Sequence, residues 1–204
     1  VDMHHIISDG TSHTILADHF MSMYNEKELP PLKLHYKDYS QWQNRLRRGG
    51  KIKAQEEYWR RLYRDVREIP RLDLVTDHKR PAWYTFAGDY YDFVLGKEEA
   101  EPFKALASRS GGTLYMNILA VMNILFYKYT GQTDIIIGTG TVGRPHVEFQ
   151  EIIGVFINTL AMRNHPHGEK TYENFLKEVN AHSLEAIANQ EVQFEDLVET
   201  LTLE

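Results

Sequence analysis

The segment HHIISDG at residues 4–10 combines two adjacent histidines with an aspartate and a glycine. A histidine side chain titrates near pH ~6.5, so a neutral imidazole that is held in place can accept or relay a proton at neutral pH. Asp9 is a candidate to orient an imidazole or to lock the turn through a buried ion pair. Gly10 permits a positive φ or a close backbone approach where a helix is expected to begin. This segment is therefore the first candidate for a functional site.

The two histidines by themselves do not establish catalysis. Neighbouring side chains on an extended backbone point to opposite faces, so at most one of His4 and His5 is expected to face a given cleft. A lone pair of this kind is more often a core or surface feature than a catalytic one. A zinc site is another alternative, but the nearby His13, Asp18 and His19 do not form a ligand set of recognised spacing. Catalytic and structural roles both remain open at this point.

The composition is that of a soluble globular domain, with 42% hydrophobic and 25% charged residues and a net charge of -6. This acid excess argues against a nucleic-acid-binding protein. The basic run RLRRGGK at residues 45–51 is typical of a helix end, where cations offset the helix dipole. The absence of cysteine excludes disulfides, thiolate metal sites and a thiol nucleophile. No apolar run approaches the roughly 20 residues of a membrane span and no secretory signal is visible, so we expect a cytoplasmic location.

Hydrophobic periodicity predicts a chain of mixed secondary structure. The predicted helices span residues 11–25, 36–48, 52–67, 98–110, 114–129, 172–189 and 194–200. The predicted strands span residues 88–95, 134–141 and 154–163. Because the elements mix without regular βαβ spacing or an internal repeat, the pattern favours α+β or loosely alternating α/β, with helices against one face of a sheet. The proline-containing connector at 68–86 is the expected boundary between two unequal parts.

Four blocks of the sequence resemble conserved segments of the condensation domains of nonribosomal peptide synthetases. The first is HHIISDG, which fits the family signature HHxxxDG. The other three follow in the family's order: YKDYSQW at 36–42, IGVFINTL at 153–160 and NQEVQFEDLV at 189–198. The stretch YTGQTDIIIGT at 129–139 and the pair Gly143-Arg144 are also similar to family sequence. Four blocks in the same order over nearly the whole chain are too many for a chance agreement.

The resemblance implies a chloramphenicol acetyltransferase-like fold, an α/β sandwich of sheets and helices in two subdomains that meet at a cleft. Residues 1–67 would end the N-terminal subdomain and carry the signature, 68–86 would be the connector, and 87–204 would be part of the C-terminal subdomain. The chain starts at the signature and stops before the family's last conserved segment, so we expect truncation at both ends and an incomplete cleft. Missing strands would leave exposed sheet edges, which favour self-association.

The resemblance also implies an acyltransferase that forms peptide bonds in antibiotic and other secondary-metabolite biosynthesis. In this family an acceptor aminoacyl thioester attacks a donor acyl or peptidyl thioester, and both are held on phosphopantetheine arms. The domain itself is expected to bind no cofactor and no metal. Its expected partners are the donor and acceptor peptidyl carrier proteins, an adjacent adenylation domain and the missing N-terminal part of the same megaenzyme. Neither nucleic acid nor a membrane is expected as a partner.

The resemblance also implies roles for single residues. His5 matches the second signature histidine, which acts as general base or holds the attacking amine by a hydrogen bond. Gly10 would place a backbone N–H near the developing oxyanion. Asp9 would be structural, with Arg144 as its ion-pair partner, and Asn158 would supply a further hydrogen bond to the cleft. The remaining motif and support residues are His4 and Ser12. The residues expected to pack are His4, Trp42, Phe156 and Phe194.

Two alternatives to a condensation domain remain open. A related acyltransferase or an epimerisation domain has the same fold, although SDGTS at residues 8–12 resembles the condensation form more closely. The cyclising variant carries aspartates in place of both histidines and is excluded by His4 and His5. The other alternative is a non-catalytic module that docks carrier proteins. An intact His5 argues against a degenerate domain, whereas truncation would leave the isolated chain inactive.

Overall fold

The computed structural model describes residues 2–66, 70–79, 81–83 and 85–202. Within these ranges the α-helices are α1 (Gly10–Tyr24), α2 (Tyr36–Arg48), α3 (Gly50–Tyr63), α4 (Lys97–Arg109), α5 (Leu114–Thr130), α6 (Tyr172–Ala188) and α7 (Phe194–Thr202). The strands β1 (Ile135–Thr141) and β2 (Asn158–Asn164) pair in a two-stranded sheet. In the described part of the chain, no helix has both the length and the apolar character that crossing a bilayer requires.

The ends of the helices follow from capping residues in the sequence. Asp9 caps α1, because its Oδ1 accepts a hydrogen bond of 2.8 Å from the Ser12 N–H. Asp38 in the first turn of α2 accepts one of 2.8 Å from the His35 N–H. Helix α5 ends at Gly131, whose φ of 73° lies in the left-handed region that glycine adopts without strain. The predicted bounds of α2 at 36–48 are confirmed.

The described structure divides into two compact units. Unit 1 consists of residues 1–65, 138–161 and 187–204, and unit 2 of 66–137 and 162–186. The connector predicted at 68–86 falls within the first stretch of unit 2, which begins at residue 66. The chain returns to unit 1 twice more, so the compact units do not coincide with a simple division into 1–67 and 87–204. The return is explained by contacts that the signature segment makes with residues 144–156.

Aromatic side chains form a core cluster in unit 1. Its buried members are Tyr39, Phe149, Ile152 and Phe156, with Leu34 and Trp42 packed against them. The ring of Tyr39 lies 4.4 Å from that of Phe156 and 5.2 Å from that of Phe149, between ring centroids. Trp42 stacks on Tyr39 at 5.9 Å. The cluster confirms the packing predicted for Trp42 and Phe156, and it joins α2 to the segment that precedes β2.

Two aromatic side chains fix helix α3 in the same unit. Trp59 is 1% exposed and donates from Nε1 to the carbonyl oxygen of Asn189 at 2.9 Å. The Tyr63 hydroxyl donates to the carbonyl oxygen of Ala161 at 2.8 Å. Both rings are therefore buried with their polar atoms paired, as buried Trp and Tyr require. The helix ends at Tyr63, earlier than the predicted 52–67, and the predicted end at Arg67 lies outside the described residues.

In unit 2 the helix α5 is less enclosed than its sequence suggests. Met116, Leu119 and Ala120 are buried. Ile118 and Leu125, however, are 49% and 43% exposed. An apolar helix sequence suggests burial on most sides, but hydrophobic composition sets only how much surface a helix can bury, and neighbouring elements decide how much it does bury.

Two strand predictions also differ from the structure. Residues 88–95 lie in a stretch without helix or strand, and Tyr90 and Val94 are each 92% exposed. A strand forms only where a neighbouring strand offers N–H and C=O groups for hydrogen bonds, and alternation of apolar and polar residues does not ensure that such a neighbour exists. Among the described residues only β1 and β2 pair. The strand predicted at 154–163 begins at Asn158, because the backbone at 154–156 bonds to side chains of the signature segment and of α2.

Candidate active site

A buried ion pair joins Asp9 to Arg144. Arg144 Nη2 lies 3.1 Å from Asp9 Oδ1 and 3.3 Å from Oδ2, and both side chains are 0% exposed. The structure thus brings together the two residues that the family resemblance paired. Because removing one member of such a pair leaves a buried charge without compensation, the pair strongly specifies this local arrangement.

Hydrogen bonds complete the surroundings of the Asp9 carboxylate. Its Oδ1 accepts from the N–H and the hydroxyl of Ser12 at 2.8 and 2.7 Å, and its Oδ2 accepts from the Phe156 N–H at 3.1 Å. Burial by itself raises the pKa of Asp9, but the bonds from Ser12 and Phe156, together with the Arg144 guanidinium, outweigh burial and hold the pKa below its ordinary value. Asp9 is therefore a carboxylate at neutral pH, already engaged by four groups.

Ser12 connects helix α1 to the backbone of Gly154. Its side chain is fully buried, and Oγ accepts from the Gly154 N–H at 3.0 Å and from Arg144 Nη2 at 3.2 Å. The same oxygen lies 2.7 Å from Asp9 Oδ1 and 2.8 Å from the Gly154 carbonyl oxygen. Since a hydroxyl has one hydrogen, Ser12 donates to one of these two acceptors at a time.

Arg144 makes further contacts besides its ion pair with Asp9. Its Nη1 donates to the carbonyl oxygens of Phe149 and Ile152, each at 2.6 Å. Its guanidinium carbon lies 3.9 Å from the centroid of the Phe156 ring, a cation–π geometry. The preceding Gly143 has a φ of 64°, and a Cβ there would lie 1.6 Å from the Phe156 carbonyl oxygen. These contacts need a planar guanidinium with several donors, which lysine does not provide.

The His5 ring is exposed and fixed by one local hydrogen bond. Its Nδ1 lies 2.7 Å from the carbonyl oxygen of Ser8. A carbonyl only accepts, so Nδ1 carries the proton of the neutral ring and Nε2 presents its lone pair. Within the described residues Nε2 has no hydrogen-bond partner. The carbonyl of Ser8 adjoins Asp9, so the buried ion pair anchors the group that orients His5.

Residues 4–7 form a turn, closed by a bond of 3.1 Å from the Ile7 N–H to the His4 carbonyl oxygen. His4 Nδ1 accepts from the Ile6 N–H at 3.1 Å. Both His4 and His5 are exposed. The expectations of an extended backbone and of a packed His4 are wrong, because the alternation of side chains holds only for a strand and not for a turn.

Gly10 is the first residue of α1 and has no positive φ. A Cβ at this position would meet nothing within 4 Å. The positive φ that a glycine permits is therefore not used here, and no protein atom of the described chain approaches this position closely. The Gly10 N–H belongs to the first turn of α1, where backbone donors have no partner within the helix, and it makes no hydrogen bond among the described residues.

Asn158 ties the start of β2 to the segment at 190–194. Its Nδ2 donates to the carbonyl oxygens of Gln190 and Val192 at 2.8 and 2.7 Å. Its Oδ1 accepts from the N–H groups of Thr159 and Phe194 at 2.8 and 3.2 Å. Both amide hydrogens are used, so the expectation that Asn158 offers a hydrogen bond to a cleft is wrong, and the residue acts as a structural link.

Two contacts of the site were not anticipated from the sequence. The buried Ser8 places Oγ 3.2 Å from Nε2 of His13, and the Tyr36 hydroxyl donates to the Val155 carbonyl oxygen at 2.7 Å. Ser8 falls in the variable part of HHxxxDG, so the signature gives no signal for it. Tyr36 opens the block YKDYSQW, and that position was the available clue.

The arrangement supplies a proton acceptor and a hydrogen-bond donor in one short segment. The acceptor is Nε2 of His5 and the donor is the N–H of Gly10. In the ranges that the structure describes, no three His, Asp or Glu side chains come together as a set of metal ligands. An oriented imidazole and a free helix N–H suit acyl transfer, in which an amine loses a proton and a carbonyl oxygen gains negative charge.

Comparison with known proteins places the whole chain in one family. The family model described as "Condensation domain" matches residues 1–204. Tyrocidine synthase 3 of Brevibacillus parabrevis is 48% identical over 204 residues, which are 100% of this chain and 3% of that protein. Bacitracin synthase 3 of Bacillus licheniformis is 46% identical over 203 residues, again 100% and 3%. The chain thus spans a small part of the curated relatives that it matches.

Solved structures agree with this match at the level of the fold. The condensation domain of a monacolin K polyketide synthase superposes with a TM-score of 0.82 at 20% identity, covering 98% of this chain and 47% of that one. The first condensation domain of the calcium-dependent antibiotic synthetase gives a TM-score of 0.80 at 20% identity, covering 98% and 44%. The predicted mixed fold of the chloramphenicol acetyltransferase type is confirmed.

Proposed function

Because the chain belongs to the condensation-domain family, we propose that it forms an amide bond between a donor acyl or peptidyl thioester and an acceptor aminoacyl thioester. Both substrates are carried on phosphopantetheine arms of peptidyl carrier domains, next to an adenylation domain of the same synthetase. The relatives named as tyrocidine and bacitracin synthases support a role in peptide antibiotic biosynthesis. The observation that carries the proposal is the oriented ring of His5, with Nε2 left as an acceptor.

His5 receives the attacking amine in this proposal. An α-ammonium group loses its proton near pH ~8, so a substantial part of the amine is already neutral at physiological pH. Nε2 of His5 accepts a hydrogen bond from this amine and holds its nitrogen towards the thioester carbon. Such positioning replaces an encounter in solution by a near-attack geometry, and the imidazole takes the proton as the C–N bond forms.

Gly10 stabilises the negative charge that develops on the carbonyl oxygen of the thioester. As the amine nitrogen bonds to the thioester carbon, the carbonyl oxygen becomes an oxyanion, and the Gly10 N–H donates to it. The oxyanion then collapses and the C–S bond breaks. The proton taken up by His5 goes to the leaving sulfur, so the products are an amide on the acceptor arm and a free thiol on the donor arm.

Asp9, Arg144 and Ser12 act as positioning residues. They touch neither the amine nor the thioester in this scheme. They fix the backbone at residues 8–10, which includes the carbonyl that orients His5 and the N–H that Gly10 offers. Loss of these residues is therefore expected to lower activity and stability together.

The test is peptide-bond formation between two loaded carrier domains, catalysed by the full-length synthetase. We expect His5→Ala to lower the rate roughly 10²- to 10⁴-fold, the range that proton transfer by a positioned side chain contributes. His4→Ala is the matched control, because it removes an adjacent exposed imidazole, and it should keep the rate within about twofold. An unchanged rate for His5→Ala contradicts the catalytic assignment.

The non-catalytic alternative gives a different outcome in the same experiment. A docking module would bind carrier domains without turnover, so calorimetry would show binding while neither histidine variant changed the rate. An epimerisation domain would instead invert the donor residue, and chiral analysis of the released peptide would detect the D form.

A further inference from the structure

The charge of the chain is distributed very unevenly. Residues 36–64, which form α2, α3 and their connection, contain nine of the 23 Lys and Arg residues but three of the 29 Asp and Glu residues. This hairpin therefore has a net charge of +6 in a chain whose total is -6, and the remainder has -12. The sign of the charge on this pair of helices is thus the reverse of that of the whole chain. We call residues 36–64 the basic hairpin.

The cations of the basic hairpin recur at helical spacing on exposed positions. One face of α2 presents residues at i, i+4, i+8 and i+11, namely Lys37, Gln41, Arg45 and Arg48. One face of α3 presents residues at i, i+4, i+7 and i+11, namely Lys53, Glu57, Arg60 and, just beyond the helix end, Arg64. Side chains at these spacings lie on the same side of a helix, so each helix carries a stripe of three cations, interrupted by Gln41 in α2 and by Glu57 in α3.

Internal interactions account for few of these charges. In the described part of the chain Arg47 forms an ion pair with Asp196, at 2.5 Å, whereas the cations of the two stripes form none. Asp38, one of the three acids, is used as a cap of α2. The helix dipole favours cations in the last turn of α2, but it disfavours Lys53 in the first turn of α3. The stripes therefore exceed what the fold itself uses.

The basic hairpin has no apolar surface to insert into a lipid bilayer. Its large apolar side chains Tyr39, Ile52, Trp59 and Tyr63 are buried, and Tyr36 is 38% exposed. Interfacial helices need an apolar face below their cations, so a membrane is not the partner favoured here. The net charge of the whole chain, -6, disfavours an extended polyanion such as duplex nucleic acid. An acidic folded domain is the partner that the charge of the hairpin favours.

We propose that the basic hairpin is the docking surface for an acidic folded protein domain. The inference rests on the proposed function, which requires a carrier domain to bring each thioester, and it assigns one of these carrier domains to the hairpin. Charge complementarity of this kind mainly accelerates association and fixes orientation, and its effect falls with salt because exposed charges are screened.

The test measures association of the full-length protein with the purified carrier domain of the same synthetase, with its phosphopantetheine arm in place. Arg45→Glu/Arg48→Glu reverses two exposed charges, and Lys27→Glu/Lys33→Glu makes the same change outside the hairpin. By stopped flow we expect about tenfold slower association for the hairpin variant at 50 mM salt and less than about twofold at 300 mM, with little change in dissociation. The control variant should stay within about twofold.

Equal effects of the two variants, or no effect of the hairpin variant, would overturn the proposal. So would a hairpin variant that loses binding to a 20-base-pair DNA duplex or to phosphatidylserine vesicles while its binding to the carrier domain stays unchanged. Small soluble substrates, such as aminoacyl N-acetylcysteamine thioesters, separate this inference from the proposed function. With them the hairpin variant should keep the wild-type rate and His5→Ala should lose it; a His5→Ala protein that keeps it refutes the proposed function whatever the association rates are.

Discussion

At the scale of single residues, one carboxylate organises the site. Asp9 caps α1, pairs with Arg144 and accepts the N–H of Phe156. The family resemblance was sufficient to predict the pair. It gave no indication that Ser12 would bridge Asp9 to Gly154, because a serine that follows a capping aspartate is usually explained by the cap alone.

Asp9→Ala and Arg144→Ala are each expected to lower the free energy of unfolding by about 3–5 kcal/mol, since each leaves a buried charge without its partner. The double variant should lose clearly less than the sum of the two. Urea denaturation of the four proteins measures this coupling. The exposed pair Arg47 and Asp196 is the control, with an expected coupling below about 1 kcal/mol. Strictly additive losses for Asp9 and Arg144 would contradict a direct interaction.

Ser12→Ala is expected to lower the free energy of unfolding by about 1–3 kcal/mol, because the Gly154 N–H would lose its acceptor inside the protein. Thr14→Ala removes an exposed hydroxyl from the same helix and should change stability by less than about 0.5 kcal/mol. Thermal and urea unfolding of both variants gives the comparison. A Ser12→Ala protein as stable as Thr14→Ala would show that the bridge to Gly154 contributes nothing.

At the scale of elements, helices followed from the sequence more faithfully than strands. A helix satisfies its own backbone, so local signals such as the Asp9 cap and Gly49 after α2 define it. A strand depends on what lies beside it. Residues 88–95 alternate correctly and remain outside any sheet, and residues 154–156 give their backbone groups to Ser12, Tyr36 and Asp9 instead of to a strand.

Gly143 and Gly10 differ in whether the structure has room for a Cβ atom at their positions. Gly143→Ala places a Cβ in the left-handed region and against the Phe156 carbonyl, so we expect it to destabilise the protein by at least ~2 kcal/mol. Gly10→Ala meets no atom and should leave stability within about 0.5 kcal/mol. It should nevertheless reduce peptide-bond formation if substrate must approach the first N–H of α1. Equal stability losses for the two variants, by urea unfolding, would contradict this distinction.

At the scale of the whole molecule, the family and the mixed fold were predictable and the compact units were not. Conserved blocks identify a family without reference to how the chain returns on itself. The return of residues 138–161 and 187–204 to unit 1 depends on long-range contacts such as that between Trp59 and Asn189. The cytoplasmic location and self-association through sheet edges stay predictions, which fractionation of cells and light scattering would test.

The pH dependence of the free energy of unfolding should show the contribution of the Asp9 carboxylate. Its pKa is lower in the folded protein than the ordinary 3.8, so the folded state binds this proton less readily than the unfolded state does. The resulting stabilisation is complete above about pH 4 and disappears as the pH falls through the lower folded pKa. Between pH 6 and 2.5, the free energy of unfolding measured in urea should fall less for Asp9→Asn than for the exposed control Asp2→Asn. Parallel curves for the two variants would contradict this assignment.

The Asp9 network also sets a sequence of events during synthesis. The carboxylate contacts residues 135 and 147 positions further along the chain. At roughly 5–20 residues per second, the ribosome needs about 7–30 s to add the last of them after it has made Asp9. During that time the signature segment lacks the partners that later hold it. A nascent chain interrupted before Arg144 would therefore carry the complete signature but not the buried charge pair and backbone contacts that hold it, so the synthesis of residues 144–156 is the step that completes the site.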